Sequence, residues 1–275
     1  MNEFPENQTI SRQIKETLTG RTITAVFNAT KFHKNTYYYG DPLTYGKLLT
    51  GRRIEFSESY GMYIDIIMDK HTKISSGDGT NIKYGTISKK MPDNYQLLVT
   101  FDDNTYLVYT VGMFGFIAAY NGNYDEPYYL KSRISISPLS EAFTEQYFDS
   151  LFAGVRPNLS AKLFLASGQR IPGLGNGVLQ DILFNAKINP KRQIGTFTGW
   201  EKTALFRSVK STLREMTAKG GRDTVSDLYG NKGGYESILS KNTVNKPCSV
   251  CGDTIVKENI SGGGAIYYCP TCQKM

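Results

Sequence analysis

This sequence predicts an α+β chain in three parts: a β-rich N-terminal portion over residues 1–130, a helical portion over 131–228, and a small metal-stapled hairpin over 240–275. Three observations carry that expectation. Short strand-like apolar runs dominate the first part, apolar residues recur at helical spacing through the second, and all four cysteines fall in the last 28 of the 275 residues.

Taken in order, the chain opens MNEFPENQT and continues into a helix over about 6–19, stopped at Gly20, with Ile10, Ile14 and Leu18 on one stripe suited to packing on a sheet. The runs RTITAVFN, MYIDIIM, YQLLVTF, TYLVYTV and FGFIAAY have the length and the β-branched and aromatic content of strands. Between them, KHTKISSGDGTNIKYG is polar and glycine-rich and reads as a long mobile loop. The tyrosines of FHKNTYYYGDPLTYG suit either packing at a sheet edge or stacking on bases.

From about 141 to 226 the pattern turns helical, with Phe143, Tyr147, Leu151 and Phe152 and then Leu179, Ile182 and Leu183 at helical spacing. Within it, RIPGLGNGVLQD sets Gly173, Gly175 and Gly177 around Asn176 at the start of a helix. Glycines let the backbone approach a ligand closely, and a helix N-terminus offers unpaired N–H donors with partial positive charge, so an anion such as a phosphate fits there. On these residues alone, the other reading is a plain turn with Asn176 as an N-cap.

The tail KPCSVCGDTIVKENISGGGAIYYCPTCQKM pairs Cys248 with Cys251 and Cys269 with Cys272, and 17 residues separate the two C-x-x-C knuckles. Two residues between thiolates allow one turn to aim both sulfurs at a single ion, and two such knuckles close a tetrahedral shell around one structural Zn2+. The competing chemistry is a pair of disulfides or a redox dithiol, which a cytoplasmic chain without a thioredoxin-like pattern disfavours. IVKENISGGGAIYY between the knuckles suits two short strands joined by a glycine-rich turn.

Composition narrows the partners. No apolar run approaches the roughly 18 residues of a membrane span, and MYIDIIM is interrupted by Asp65. The acidic N-terminus lacks the order of a secretory signal, so the expected address is cytoplasmic and no membrane partner is expected. A net charge of +7 favours a polyanion. The two histidines, His33 and His71, supply a His-dependent nucleophilic triad only thinly.

The segment AKLFLASGQRIPGLGNGVLQDILFNAKINPKR resembles the helix-two-turn-helix motif of the formamidopyrimidine-DNA glycosylase and endonuclease VIII family, with Lys162, the GLGN turn, Asp181 and the closing INP. GGRDTVSDLYGNKGGY is similar to that family's linker into its zinc hairpin, CPTCQ to the hairpin's end, and LVTFDDNTYLVYTVGMFGF to its paired strands ending in Phe-Gly. The resemblance implies a β-sandwich-like N-terminal domain, a helix-two-turn-helix domain and a four-cysteine zinc β-hairpin. Double-stranded DNA, damaged or distorted, would lie across the cleft between the domains, with no small-molecule cofactor. By position, Lys162 and Asn176 would hold phosphates flanking a damaged nucleotide and Phe114 would help fill the hole left by a flipped base.

Members of that family remove a damaged base and nick the strand through a Schiff base formed by an N-terminal proline, in a pattern Met-Pro-Glu-x-Pro-Glu whose methionine is removed. Here Glu3, Pro5 and Glu6 match, so Glu3 and Glu6 are the catalytic candidates for proton transfer, but the nucleophile's position holds Asn2. Asparagine is too large for the usual removal of a preceding methionine, which would leave the terminal amine about 3.5 Å further along the chain. Three more family positions depart: Met62 and Gly264 stand where a lysine and an arginine are expected, and Gly112 replaces an arginine two residues before Phe114. All the departures face the expected lesion. The sequence therefore predicts a DNA-binding protein of the glycosylase fold, linked to damage recognition or base excision repair, with its Schiff-base chemistry lost. The alternatives are an active glycosylase or AP lyase using the Met1 amine or a lysine, and a scaffold for RNA or protein.

Overall fold

The computed structural model describes residues 1–69, 71–77, 79–88, 91–260 and 264–275. Helix α1 (Phe4–Leu18) leads into β1 (Ile23–Asn28), β2 (Thr36–Tyr39), the short α2 (Tyr45–Leu49), β3 (Phe56–Tyr60), β4 (Tyr63–Ile67), β5 (Thr72–Gly77), β6 (Thr80–Thr86), β7 (Leu97–Phe101), β8 (Thr105–Val111) and β9 (Gly115–Asn121). These strands form two sheets, ordered β1-β7-β8-β6 and β2-β9-β5-β4-β3, antiparallel throughout except for the parallel edge pair β2 and β9. Alternate side chains point to opposite faces of a strand. Ile64, Ile66, Ile74 and Ile117 of one sheet and Ile23, Leu97, Val99 and Leu107 of the other accordingly share a core, closed by Ile10, Ile14 and Leu18 of α1. The stripe expected to pack α1 on the sheet does so.

The stretch 70–85, expected as a mobile loop, instead contributes β5 and β6, one to each sheet. Every residue of β5 is buried. Its polarity misled because Ile74 is the one apolar side chain that β5 adds to the core while Ser75, on the opposite face, donates to Asp65 Oδ1 at 2.6 Å. Lys70 and Asp78 of that stretch lie outside the described residues. The tyrosines of β2 do sit at a sheet edge. Tyr38 packs against the core, while Tyr37 and Tyr39 lie on the outer face with Phe116, Tyr120 and Tyr124.

The outer face of the five-stranded sheet is covered by α3 (Pro127–Ile134), whose Tyr129 reaches the buried Asp65 with a 2.6 Å hydrogen bond. Helices α4 (Glu145–Ser150), α5 (Ala161–Ala166), α6 (Val178–Asn185) and α7 (Gly199–Ala218) enclose a second core. Thr144, Ser160 and Thr198 cap α4, α5 and α7 with their hydroxyls, and these polar starts separate the helices that periodicity alone runs together. Phe4, at the first turn of α1, belongs to this helical core, so α1 joins both halves. After α7 the chain returns to the sandwich. Leu228 enters its core, and Gln13 of α1 bonds both Asp227 and the Leu228 N–H. The chain ends in the antiparallel pair β10 (Val256–Ile260) and β11 (Gly264–Tyr268), which packs against Phe184 and Leu239.

Candidate nucleic-acid interface

Helix α1 starts with a capping box, in which the Glu3 N–H donates to Glu6 Oε2 at 2.9 Å. The Glu3 side chain also reaches across the molecule to the turn before α6. Its carboxylate accepts from the N–H groups of Gly175, Gly177 and Val178 at 3.1, 2.9 and 2.9 Å. The glycine-rich turn therefore does hold an anion, but the anion is the chain's own and not an external phosphate. Approach is so close that a Cβ at Gly175 would lie 2.4 Å from Glu3 Cδ, which explains the glycine.

Arg222, from the segment after α7, completes the cluster. It donates from Nε and Nη2 to the two oxygens of Glu6 at 3.0 and 2.8 Å, from Nη1 to Glu3 at 3.3 Å, and from Nη2 to the Met1 carbonyl at 3.3 Å. Glu3, Glu6 and Arg222 are all buried. Burial alone would lower the arginine's pKa, yet the two carboxylates outweigh it and hold the guanidinium charged. Both residues expected to move protons are thus tied into an ion cluster that welds the chain's start to the helical half.

Asn2 is buried beside this cluster, with Nδ2 donating to the Thr80 carbonyl at 3.3 Å. Its Oδ1 has no partner among the described residues. Met1 is exposed and its side chain lies over the turn between β5 and β6: a Cβ at Gly79 would meet Met1 Sδ and Phe114 O, each at 3.0 Å. Met113 and Phe114 project from the β8–β9 turn, exposed by 65% and 56%. Met1, Gly79 and the Phe114 carbonyl therefore lie close together. Met62 sits beside Gly61, which packs on Pro172, and its Sδ faces Gln169 Nε2 at 3.9 Å.

Lys162 and Asn176 also converge, though on protein. Lys162 is fully buried and donates to the carbonyls of Gly264 and Ala265 at 3.3 and 3.1 Å, and its surroundings lower its pKa by desolvation. Asn176 is exposed and donates to the same Ala265 carbonyl at 2.8 Å. Both thus support the hairpin strand that begins at Gly264. The chain-terminal unit is fastened further by Asp181, which accepts from the N–H groups of Ile238 and Leu239 at 2.9 and 2.8 Å, and by Asn189 and Gln273. Burial raises the Asp181 carboxyl to about 6.

The sulfurs of Cys248, Cys251, Cys269 and Cys272 lie within 4.8 Å of one another, and none is disulfide-bonded. Separations of 3.8 Å (Cys248–Cys272) and 3.4 Å (Cys251–Cys269) exceed the ~2.05 Å of a disulfide and suit four ligands about 2.3 Å from one ion. The donor set fits a closed metal-binding knuckle pair, as in a zinc finger.

Sequence reasoning passed over Arg222 and Gln169. Arg222 lies in a segment that reads only as a linker. Gln169 holds a left-handed backbone (φ 49°) that no residue pattern announces.

No family model matches the chain. It is 27% identical to the formamidopyrimidine-DNA glycosylase of Cytobacillus firmus over 284 aligned residues, 99% of this chain and all of that protein. To the same-named protein of Pelotomaculum thermopropionicum it is 36% identical over 150 residues, 52% of this chain and 51% of that one. Among solved structures it matches Lactococcus lactis Fpg in complex with DNA containing an abasic site, at a TM-score of 0.85 and 22% identity with both chains covered completely. It also matches Lactococcus lactis Fpg in complex with Fapy-dG-containing DNA, at 0.85 and 23%, over 99% of this chain and all of that one.

Proposed function

We propose that this chain, a divergent member of the formamidopyrimidine-DNA glycosylase family, binds double-stranded DNA at damaged or distorted positions in base excision repair, and does so without Schiff-base excision. The observation that carries this reading is the buried Glu3–Arg222–Glu6 cluster beneath Asn2. Attack on a sugar C1′ needs a terminal amine with an available lone pair and a nearby group able to take up a proton. Asn2 brings instead an amide nitrogen, whose lone pair is delocalised into its peptide bond. Protonating Glu3 would break a charge-assisted contact with Arg222 and weaken three backbone hydrogen bonds.

DNA binding is supported by the fold, by the net charge of +7, and by the fact that the matched Lactococcus lactis structures are complexes with abasic or damaged DNA. In this reading the exposed Asn176 and Phe114 touch the duplex, and the buried Lys162 acts through the hairpin it supports. We assign one structural zinc to the four thiolates, a closed shell that stiffens the hairpin and leaves no position for catalysis.

A second reading has one observation in its favour: Met1 is exposed, and its side chain lies beside Gly79 and the Phe114 carbonyl. Trapping separates the two. Incubated in excess with an abasic-site duplex and borohydride, the protein is expected to give no covalent adduct while binding that duplex with strong salt dependence. An adduct lost on N-terminal acetylation would establish the Met1 amine and overturn the non-excising reading. Equal affinity for matched RNA would overturn DNA as the partner.

A further inference from the structure

Strand β5 runs roughly 17 Å from Thr72 to Gly77. Its Gly77 end pairs with Phe116 and leads to Gly79, beside Met1 and the Phe114 carbonyl. At the opposite end, where the β4–β5 turn meets the end of β9, a recess of about 420 Å³ opens between the sheet and α3. His71, Lys73, Tyr120, Tyr124, Leu130 and Arg133 are among its lining, and neither Asn176 nor Phe114 is.

A lysine on a sheet surface ordinarily keeps its ammonium in water. Lys73 is instead nine-tenths buried and borders the recess with the 11% of its side chain that stays open. Its Nζ stands 3.6 Å from Asp65 Oδ2, an ion pair too long for a hydrogen bond. Asp65 is satisfied by others, since Ser75 donates to its Oδ1 and Tyr129 to its Oδ2, each at 2.6 Å. The ammonium's own N–H donors have no acceptor among the described residues. Arg133 closes the same chain of contacts: its Nη1 donates to the Tyr129 hydroxyl at 3.3 Å and its guanidinium lies over the Tyr60 ring at 4.9 Å. Two cations therefore share one buried carboxylate. Glu58, beside Asp65 on the β3–β4 ladder, does not line the recess, and Asp125 at its rim is exposed to solvent, which screens it.

The remaining lining is aromatic and aliphatic. The Tyr124 ring lies 5.5 Å from that of Tyr120 and 5.1 Å from that of Tyr129, and Leu130 and Ile134 are exposed beside them. One positive charge in excess, with a planar guanidinium to present it, suits a monoanion with two oxygens, and the rings suit an apolar body. A phosphate dianion would exceed that charge. We propose that this recess binds a small organic carboxylate, its oxygens taken by Lys73 Nζ and the Arg133 guanidinium and its apolar body lying against Tyr124, Leu130 and Ile134. The site goes beyond the duplex reading and does not depend on it.

The test titrates the full chain with benzoate and with benzamide, a neutral molecule of the same shape, followed by proton–nitrogen amide spectra. Benzoate is expected to saturate with a Kd on the order of 1 mM, the scale for a ligand of so few atoms, and to shift the amides of Gly122 and Asn123 but not that of Phe114. Benzamide should bind about tenfold more weakly, and Arg133→Gln should weaken benzoate about tenfold while keeping the unfolding midpoint, since each removes a charge-assisted contact. Lys73→Gln should act in the same direction; if it unfolds because Asp65 loses its counter-charge, Arg133→Gln decides alone. Equal affinity for benzoate and benzamide, shifts confined to the Phe114 end of the strands, or benzoate binding untouched by Arg133→Gln overturns the proposal. So does inorganic phosphate binding more tightly than benzoate.

Discussion

The two ends of the chain are fastened to the same short helix, α6, by opposite kinds of chemistry. At its N-terminus, Glu3 takes three backbone N–H groups and is balanced, with Glu6, by one buried arginine. In its first turn, Asp181 takes two backbone N–H groups of the segment leading to the hairpin and feels Arg222 only at longer range, while beyond it the hairpin carries four clustered cysteines. The first attachment brings its own counter-charge, Arg222, shared between the two carboxylates. The second leaves a buried carboxyl shifted upward and, in the proposed reading, takes a zinc ion at its four cysteines. The difference teaches where the chain depends on its surroundings: its start is held by its own side chains, while its end combines a carboxyl raised by burial with a cysteine set suited to a metal ion.

Removing the metal should have the largest effect. Structural zinc sites couple on the order of 10 kcal/mol of binding to local folding. Chelation is therefore expected to release amide-exchange protection in β10 and β11 while α1 stays protected. Simultaneous loss in α1 would break the comparison, because the two attachments would then be one unit.

Breaking the other attachment comes next. Arg222→Ala leaves two buried carboxylates without their cation and is expected to cost about 3–5 kcal/mol in denaturant unfolding. A loss below about 1 kcal/mol would show that Glu3 is held by the helix N-terminus alone.

The smallest effect sharpens the contrast by pH. The Asp181 carboxyl rises from an ordinary 3.8 to about 6, first through burial. Its folded pKa is above its unfolded one, so the stability it contributes is fully present below about pH 4 and is lost as pH rises through about 6. Comparing the wild type with Asp181→Asn across that window should show the wild type losing on the order of 1–3 kcal/mol relative to the variant. A difference that is flat with pH would return Asp181 to the behaviour of an ordinary paired carboxylate.

Local chemistry made some of this legible in the sequence. The cysteine spacing announced the knuckles because ligands two residues apart serve one ion, and the glycines at 173, 175 and 177 left open either an anion at a helix start or a plain turn. What the sequence could not reveal was the anion's identity, since Glu3 arrives there from 172 residues away. Arg222 was hidden for the same reason. The strands β5 and β6 were hidden by their serines, glycines and threonines, whose polar groups are satisfied inside the sheets. Gln169 was hidden because a left-handed backbone at a non-glycine residue is imposed by packing and not by residue type.

Helix α1 begins with Phe4 in the helical core and ends with Ile10, Ile14 and Leu18 in the sandwich core. Its 15 residues form a spindle of about 22 Å that runs from one half into the other. Halves joined in this way swing apart only by giving up α1's packing in one of the two cores, which holds them to one relative placement. If the chain grips duplex DNA as proposed, the duplex must supply the bend itself, and the cost of bending depends on local sequence and on breaks in stacking. Selectivity for distorted DNA can then come from the stiffness of the polymer gripped, before any side chain reads a base.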